Sequence, residues 1–275
     1  KPIKLDYLDK NQDFNKNLSL LSVQSNDRDK LDTLGNLLKE IAFEPTIVFC
    51  NRKDAIDRIS DYLFCPTDSA VKNLKNEGYD NIDTKIIRTG DVMQDAAMFY
   101  AQKSEQKSSV ISEIGLEKFA LATLHRAENT DSKERLTELV NGLNKIHHTI
   151  CPVVLPLHPR TKAKLSAHGL QLDVKLIDPV GYFDMIELLK NCSLVMTDSG
   201  GLQKEAFFFK KNCVTLRDQT EWVELIENKV NVLVGASSEK LVAESKNMLD
   251  ADSNFDIDLY GNGKASGNIV KSLMN

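Results

Sequence analysis

Six short apolar runs follow one another from residue 119 onward: Phe119–Leu124, Val153–Leu157, Val174–Ile177, Leu194–Thr197, Cys213–Leu216 and Val230–Val234. Nothing else in the chain restricts its fold as much. Runs this short and this nearly continuous suit strands of a parallel sheet, which are buried on both faces. Between the first two, Leu136, Leu139, Val140, Leu143 and Ile146 recur at helical spacing, and Thr130 or Asp131 can cap the helix start. Similar patterns predict helices over Arg160–His168, Tyr182–Asn191, Gly201–Lys210, Thr220–Asn228 and Ser238–Leu249. This alternation predicts an α/β fold, a Rossmann-like doubly wound parallel sheet over about Lys118 to Asp250.

Open α/β sheets bind ligands beyond the carboxyl ends of their strands, and polar motifs gather at those positions here. The first strand runs into His125-Arg126, with Glu128 and Asn129 just beyond; the second ends in Leu157-His158-Pro159. The fourth runs into Asp198-Ser199-Gly200-Gly201, followed by Glu205, and the fifth into Arg217-Asp218 with Glu221 and Trp222. Two glycines opening a helix let backbone N–H groups approach an anion, and the helix dipole favours negative charge there. Glu205 returns to the same helix face one turn deeper, where a carboxylate can accept hydrogen bonds from vicinal ribose hydroxyls. The competing reading is a helix start whose glycines merely allow tight packing. His125 can donate to a diphosphate oxygen or shuttle a proton. Arg126 can clamp a phosphate or brace its loop, and His158 can line the same cleft. Arg217, Asp218, Thr220 and Glu221 close the far wall or form a loop-bracing ion pair. His147, His148 and His168 read as solvated helix residues. Taken together the motifs suit a nucleotide diphosphate carrying a sugar, and the histidines show no metal-ligand spacing.

The chain has 275 residues, room for one and a half to two domains. A net charge of −5 argues against a nucleic-acid surface. No apolar run approaches the ~20 residues of a membrane helix, and the first residues lack a signal peptide's apolar stretch. Five cysteines without Cys-x-x-Cys spacing read as reduced thiols, so a cytoplasmic enzyme is expected. Phe64–Tyr100 reads as strand, helix, strand, helix, the tail of another α/β domain. Ala101–Ser112, rich in Gln, Lys and Ser, would connect it to the sheet, which divides the chain into 1–112 and 113–275. Gly261–Ser266 reads as a glycine turn opening a terminal helix. Near the start, Asp29–Ile41 has the pattern of an amphipathic helix and Thr46–Cys50 that of a buried strand. No internal repeat is found.

With these motifs in hand, the chain from about Ile59 to its end resembles the non-hydrolysing UDP-N-acetylglucosamine 2-epimerases. Further matching segments are Asp61-Tyr-Leu-Phe-Cys-Pro-Thr-Asp, Thr89-Gly-Asp-Val-Met, Asp178-Pro-Val-Gly-Tyr-Phe-Asp and Leu259-Tyr-Gly-Asn-Gly-Lys-Ala-Ser. The resemblance implies the C-terminal half of a glycosyltransferase-B-type arrangement, with UDP-N-acetylglucosamine or a related UDP-sugar in the cleft and no cofactor. It implies inversion at C2 by anti-elimination of UDP to a glycal and re-addition. By the same resemblance Ser199, Gly200 and Gly201 hold the diphosphate, Glu205 holds the ribose, and His125 contacts the diphosphate near the departing oxygen. Met185 falls where some members place an aromatic ring against the uracil, and Trp222 where some place an arginine. Both fit a subgroup whose sugars carry further modifications.

The front of the chain departs from this pattern. The basic residues, the Asp and the two Glu that the family uses for proton chemistry at C2 have no counterpart in residues 1–58. Instead Val23-Gln-Ser, Lys30-Leu-Asp-Thr-Leu and Ile47-Val-Phe-Cys-Asn-Arg-Lys-Asp resemble the start of the second RecA-like domain of DEAD-box RNA helicases, as far as about Leu63. The later helicase motifs are absent, so no nucleic-acid partner is expected. The expectation is therefore a partial, atypical N-terminal α/β segment joined to an epimerase with impaired turnover. A catalytically inactive UDP-sugar-binding remnant and a UDP-sugar glycosyltransferase are the alternatives. An apolar surface left by the incomplete domain would favour a homodimer.

Overall fold

The computed structural model describes residues 60–274. The expected helix at Asp29–Ile41, the strand at Thr46–Cys50 and nearly all of the helicase-like stretch lie outside them. The chain divides into two compact units, one made of Lys1–Leu63 and Glu77–Lys85, the other of Phe64–Asn76 and Ile86–Asn275. In the described part of the first unit, the Thr84 hydroxyl donates to the Ser60 carbonyl at 2.9 Å and the Lys85 N–H donates to the Asp61 carbonyl at 2.9 Å. A short 3-10 turn, Tyr79–Asn81, follows Gly78.

In chain order the elements begin with β1 (Tyr62–Cys65), α1 (Asp68–Asn76), β2 (Lys85–Arg88), α2 (Val92–Lys107) and α3 (Val110–Ile114). The strand–helix–strand–helix reading of Phe64–Tyr100 therefore holds. Ala101–Ser112, expected as a connecting segment, is mostly helical: α2 runs on to Lys107. Its start is capped by Asp91, whose side chain accepts the Met93 N–H at 2.8 Å. Gln, Lys and Glu are good helix formers, so the cap propagates through this polar stretch. The inward side of α2 buries Ala97 and Ser104, and the Ser104 hydroxyl donates to Glu187 at 2.5 Å.

The second unit is built on β3 (Ala120–Thr123), β4 (Val153–Pro156), β5 (Lys175–Ile177), β6 (Leu194–Thr197), β7 (Cys213–Thr215) and β8 (Asn231–Leu233). All six coincide with the apolar runs to within two residues. They pair in parallel in the order β5-β4-β3-β6-β7-β8. The chain winds outward from β3 to β5, then crosses back to place β6 on the other side of β3. That reversal opens a crevice beyond the ends of β3 and β6, the topological switch point of such sheets.

The helices between the strands are α4 (Ala127–Thr130), α5 (Lys133–Thr149), α6 (Pro159–His168), α7 (Tyr182–Asn191), α8 (Gly200–Phe208), α9 (Val223–Glu227) and α10 (Ser238–Asp250), with α11 (Ala265–Met274) last. Alternate strand residues face opposite layers. Ala120, Ala122, Val153, Leu155, Leu194 and Met196 pack with Leu136, Leu139 and Leu143 of α5 and Leu241 of α10. Leu121, Val154, Val195 and Cys213 pack with Leu188 and Leu189 of α7 and Leu202 and Ala206 of α8. Burial on both sides is why the strands read as unbroken apolar runs.

The cap of α5 is Ser132, which accepts the Arg135 N–H at 3.2 Å, and not Thr130 or Asp131. Those two residues end α4, a turn of helix that the α5 periodicity does not announce. Two of the histidines read as solvated are partly buried. His147 accepts the Val153 N–H at 3.0 Å through Nδ1, while His168 keeps its Nε2 buried without a partner; only His148 is exposed, 3.4 Å from Asp173. The predicted helix at Thr220–Asn228 shortens to Val223–Glu227, because Thr220 accepts the Trp222 N–H at 3.1 Å in a local turn and Trp222 (φ −101°, ψ 66°) lies outside the helical region. Gly90 precedes α2 at φ +94°, and a Cβ there would lie 2.6 Å from the Tyr260 carbonyl. Both the backbone and the space demand glycine at this point.

Candidate functional site

The crevice at the switch point starts from two threonines. Thr123 ends β3, Thr197 ends β6, and their hydroxyls meet at 2.6 Å, so the two strand ends are joined where the sheet's windings diverge. Each strand then delivers its motif into the same space. A cavity of about 350 Å³ lies there, lined by His125, His158, Met185, Ser199, Gly201 and Glu205 among others. Six residues chosen from four separate motifs thus share one wall. Pro179 and Val180 add an apolar surface beside Met185, and a flat heterocyclic base can rest on it. A wider cavity of about 620 Å³ shares Pro179 and Val180 but is lined by Glu113, Asp178 and Asp184. These three carboxylates outnumber the one cation in its lining, Lys162, and disfavour an anionic ligand.

Asp198 organises the cavity's polar side, and the motif reading had not given it a role. Its side chain is fully buried and accepts the His125 N–H at 3.0 Å, the Arg126 N–H at 2.9 Å and the Asn129 side-chain amide at 3.3 Å. Its other oxygen lies 3.1 Å from His125 Nδ1. Burial works against a charge on Asp198, but the hydrogen bonds from His125 and from the Arg126 backbone hold it below the ordinary carboxylate range. The same hydrogen bond raises the His125 imidazole above its usual value, against the opposing effects of burial and Arg126. With Nδ1 engaged by Asp198, Nε2 is the atom left for a ligand. A histidine held in this way has its protonated form favoured, stands at the end of β3, and can donate to an anionic oxygen.

Across the crevice, Ser199 caps α8 by accepting the Leu202 N–H at 3.4 Å. The first-turn N–H groups of Gly200 and Gly201 have no intrahelical acceptor. Glu205 lies one turn deeper, nearly buried, and burial raises its carboxyl; Tyr182 and Lys204 partly offset that. The Tyr182 hydroxyl lies against Glu205, and burial together with that carboxylate pushes the phenol up to about 12. Tyr182 also makes an edge-on contact with Tyr100 at 5.8 Å between ring centroids, which fixes its ring. Glu205 is therefore an oriented acceptor with room for hydroxyl donors.

Three of the expected residues stand behind the cavity and do not line it. Arg126 is half-exposed, 4.0 Å from Glu221. Arg217 is buried and pairs with Glu221 at 2.8 Å, so the loop-bracing reading describes its contacts, and its Nε has no partner. Gly200 lies directly beneath Glu221: a Cβ there would stand 2.5 Å from that carboxylate. Asp218 pairs with Arg135 at 2.9 Å. Glu221 makes the loop-bracing ion pair that was one of its two expected roles, whereas no contact was expected for Asn129 or Tyr182. Their contacts are side-chain meetings between elements far apart in the chain. Among the described residues no cluster of His, Cys, Asp and Glu could hold a metal ion, and no helix is long and apolar enough to cross a membrane.

The family model for UDP-N-acetylglucosamine 2-epimerase matches residues 49–274. A UDP-2,3-diacetamido-2,3-dideoxy-D-glucuronate 2-epimerase of Pseudomonas aeruginosa is 54% identical over 217 residues, covering 79% of this chain and 60% of that protein. The UDP-N-acetylglucosamine 2-epimerase of Methanocaldococcus jannaschii is 39% identical over 228 residues, covering 79% and 62%. A crystal structure of the M. jannaschii enzyme with UDP-GlcNAc and UDP matches with a TM-score of 0.72 at 38% identity, covering 81% of this chain and 63% of that one. The chain therefore spans about three-fifths of the length of these relatives.

Proposed function

The chain belongs to the UDP-N-acetylglucosamine 2-epimerase family, and on that premise we propose that residues 113–275 form the half of an epimerase site that grips the nucleotide of a UDP-sugar. One observation carries the reading: His125, Ser199, Gly201 and Glu205 line one cavity at the sheet's switch point. In this reading Glu205 accepts the ribose hydroxyls, the Ser199–Gly201 turn holds the diphosphate, and Met185 with Pro179 and Val180 supports the uracil. His125 faces the oxygen that departs from C1. His158 lines the sugar side, and Arg126 and Arg217 add positive charge behind the diphosphate.

The reaction is the interconversion of UDP-N-acetylglucosamine and UDP-N-acetylmannosamine. A base removes the C2 proton, the C1–O bond breaks, and its electron pair leaves on UDP. UDP then adds back to the glycal while C2 is protonated from the opposite face. The protonated form of His125, which Asp198 favours, stabilises the negative charge that appears on the departing diphosphate, which is where catalysis needs it. Proton transfer at C2 requires further acid–base groups. The only titratable side chains lining the described cavity are His125, His158 and Glu205, and Glu205 is assigned to the ribose. We infer that the described residues hold the nucleotide without completing the proton chemistry at C2, so that binding outlasts turnover. The 54% identity to an epimerase of a diacetamido uronate sugar favours a second substrate in the same cleft, a UDP-sugar with a second N-acetyl group and a C6 carboxylate. Among the described residues Cys151, Cys192 and Cys213 are buried thiols outside any disulfide, which fits a reducing, cytoplasmic setting.

Calorimetric titration with UDP and proton NMR of UDP-N-acetylglucosamine in heavy water test this together. Saturable UDP binding with unchanged C2 protons is expected. Absence of binding at millimolar UDP refutes the site, and rapid deuterium entry at C2 refutes the impairment.

A further inference from the structure

Lys204 sits on α8 between the anion-binding turn and Glu205, yet it does not line the nucleotide cavity. Its side chain is 6% exposed and its Nζ lies 2.5 Å from the Asp91 carboxylate, which is equally buried. The other oxygen of Asp91 caps α2. Above the same ammonium lies the indole of Trp222, with its ring centroid 4.2 Å away. Trp222 is the only tryptophan in the chain. Its Nε1–H donates to the carbonyl of Gly200 at 2.9 Å. The three side chains thus form a chain that ends on the Gly200–Gly201 peptide of the turn assigned above to the diphosphate.

That last bond has a chemical consequence. The Gly200 carbonyl and the Gly201 N–H belong to one peptide unit. A donor on the oxygen draws electron density toward it and makes the N–H at the other end a stronger donor, and such effects add along hydrogen-bonded chains. Lys204 favours the ring position through the attraction between a cation and the π-face, stronger when water is excluded. Asp91 holds Lys204 in turn. Neither side chain can leave without stranding a buried charge, so the indole is pinned from beneath.

We propose that Trp222, locked in place by the Lys204–Asp91 pair, is a positioning residue for the diphosphate. It sets the tilt and the donor strength of the Gly200–Gly201 peptide, so affinity for the anion depends on a side chain that never touches the ligand. The proposal rests on the assignment of the Ser199–Gly201 turn to the diphosphate. A purely structural Trp222 would instead support every part of the ligand equally.

Trp222→Phe keeps a ring over the ammonium and removes only the indole donor. Binding of UDP is measured by calorimetry and binding of uridine by broadening of its proton NMR lines, for the wild-type and variant chains. The expected result is a loss of UDP affinity of about 2- to 10-fold, the size of one hydrogen bond, with uridine affinity unchanged. An equal change for both ligands, or none for either, overturns the proposal. Replacing both members of the buried pair (Asp91→Asn with Lys204→Gln) frees the indole without stranding a charge. It is expected to give the same selective loss, and wild-type UDP affinity in that variant overturns the locking role. If the wild-type chain fails to bind UDP at all, the site assignment falls and takes this inference with it. If wild type binds and the variants do not discriminate, only the inference falls.

Discussion

Replacing Asp198 with asparagine tests the polar side of the cavity most directly. Both carboxylate oxygens are occupied by donors: one by His125 Nδ1, the other by the backbone N–H groups of His125 and Arg126 and by Asn129. Asparagine has the same shape but must turn an NH2 group toward one of these sets. Either orientation breaks at least one charge-assisted bond in a fully buried position and leaves two donors facing each other. Each such bond contributes about 1.5–3 kcal/mol, so a loss of about 2–4 kcal/mol is expected. For a unit of this size that corresponds to a fall in Tm of roughly 5–15 °C. The pH dependence identifies the cause. The folded-state pKa of Asp198 is depressed, so its contribution is present above the unfolded carboxylate value of about 3.9 and is lost as pH falls through the folded value. The folded-state pKa of His125 is raised, so its contribution is complete below the unfolded imidazole value of about 6.5 and fades as pH rises through the folded value. The gap between wild type and Asp198→Asn is therefore widest from about pH 4 to 6.5, and narrower on either side. Because the His125 side chain is 44% exposed, solvent screens its share and most of the gap comes from the buried bonds. In the variant only burial and Arg126 still act on His125, and both lower its pKa. Thermal melts across pH and an NMR titration of the His125 ring protons measure both effects. A variant with wild-type Tm at pH 5 and an unmoved His125 titration would refute the reasoning.

Affinity for UDP should pass through a maximum as pH is varied. Ribose hydroxyls bind the ionised form of Glu205, whose pKa burial raises, so affinity falls as pH drops through that value; it falls again as His125 loses its proton at higher pH. Calorimetry between pH 4 and pH 9 checks this: Glu205→Gln should flatten the acid limb, and a pH-independent Kd in the wild-type chain would count against both assignments. Gly90→Ala meets a positive φ and a carbonyl 2.6 Å from the new methyl, so a loss of about 1–3 kcal/mol is expected. A urea midpoint equal to wild type would show that the Gly90–Tyr260 contact yields freely.

The sheet was legible because a parallel strand buried on both faces leaves an unbroken apolar run, and all six runs became strands. The cavity residues were legible where a strand end and a helix start fall together, as at His125, Ser199 and Gly201. What escaped were contacts with no local signature. Asp198 stood in full view inside its motif, but its bonds go to residues about 70 positions earlier. Lys204 and Asp91 are 113 residues apart and each looks like an ordinary surface charge. Arg217 had two readings, a cleft wall and a loop-bracing ion pair, and only the fold of the loop, which brings it 2.8 Å from Glu221, shows that the pair forms. Caps failed for a smaller reason: Thr130, Asp131 and Ser132 are all good caps, and only the extra turn of α4 decides among them.

The junction of β3 with β6 also fixes when the site can exist during folding. These strands pair Ala120 with Leu194 and Thr123 with Thr197, with two complete strand–helix excursions in between. Helices and their neighbouring strands can form from nearby residues, but this pairing must close a long loop first, a slow step in chains of this topology. No intermediate that lacks it can bring His125 to Asp198. Recovery of nucleotide binding after dilution from denaturant should therefore lag behind recovery of helical signal, making the ligand a clock for the last long-range step of assembly.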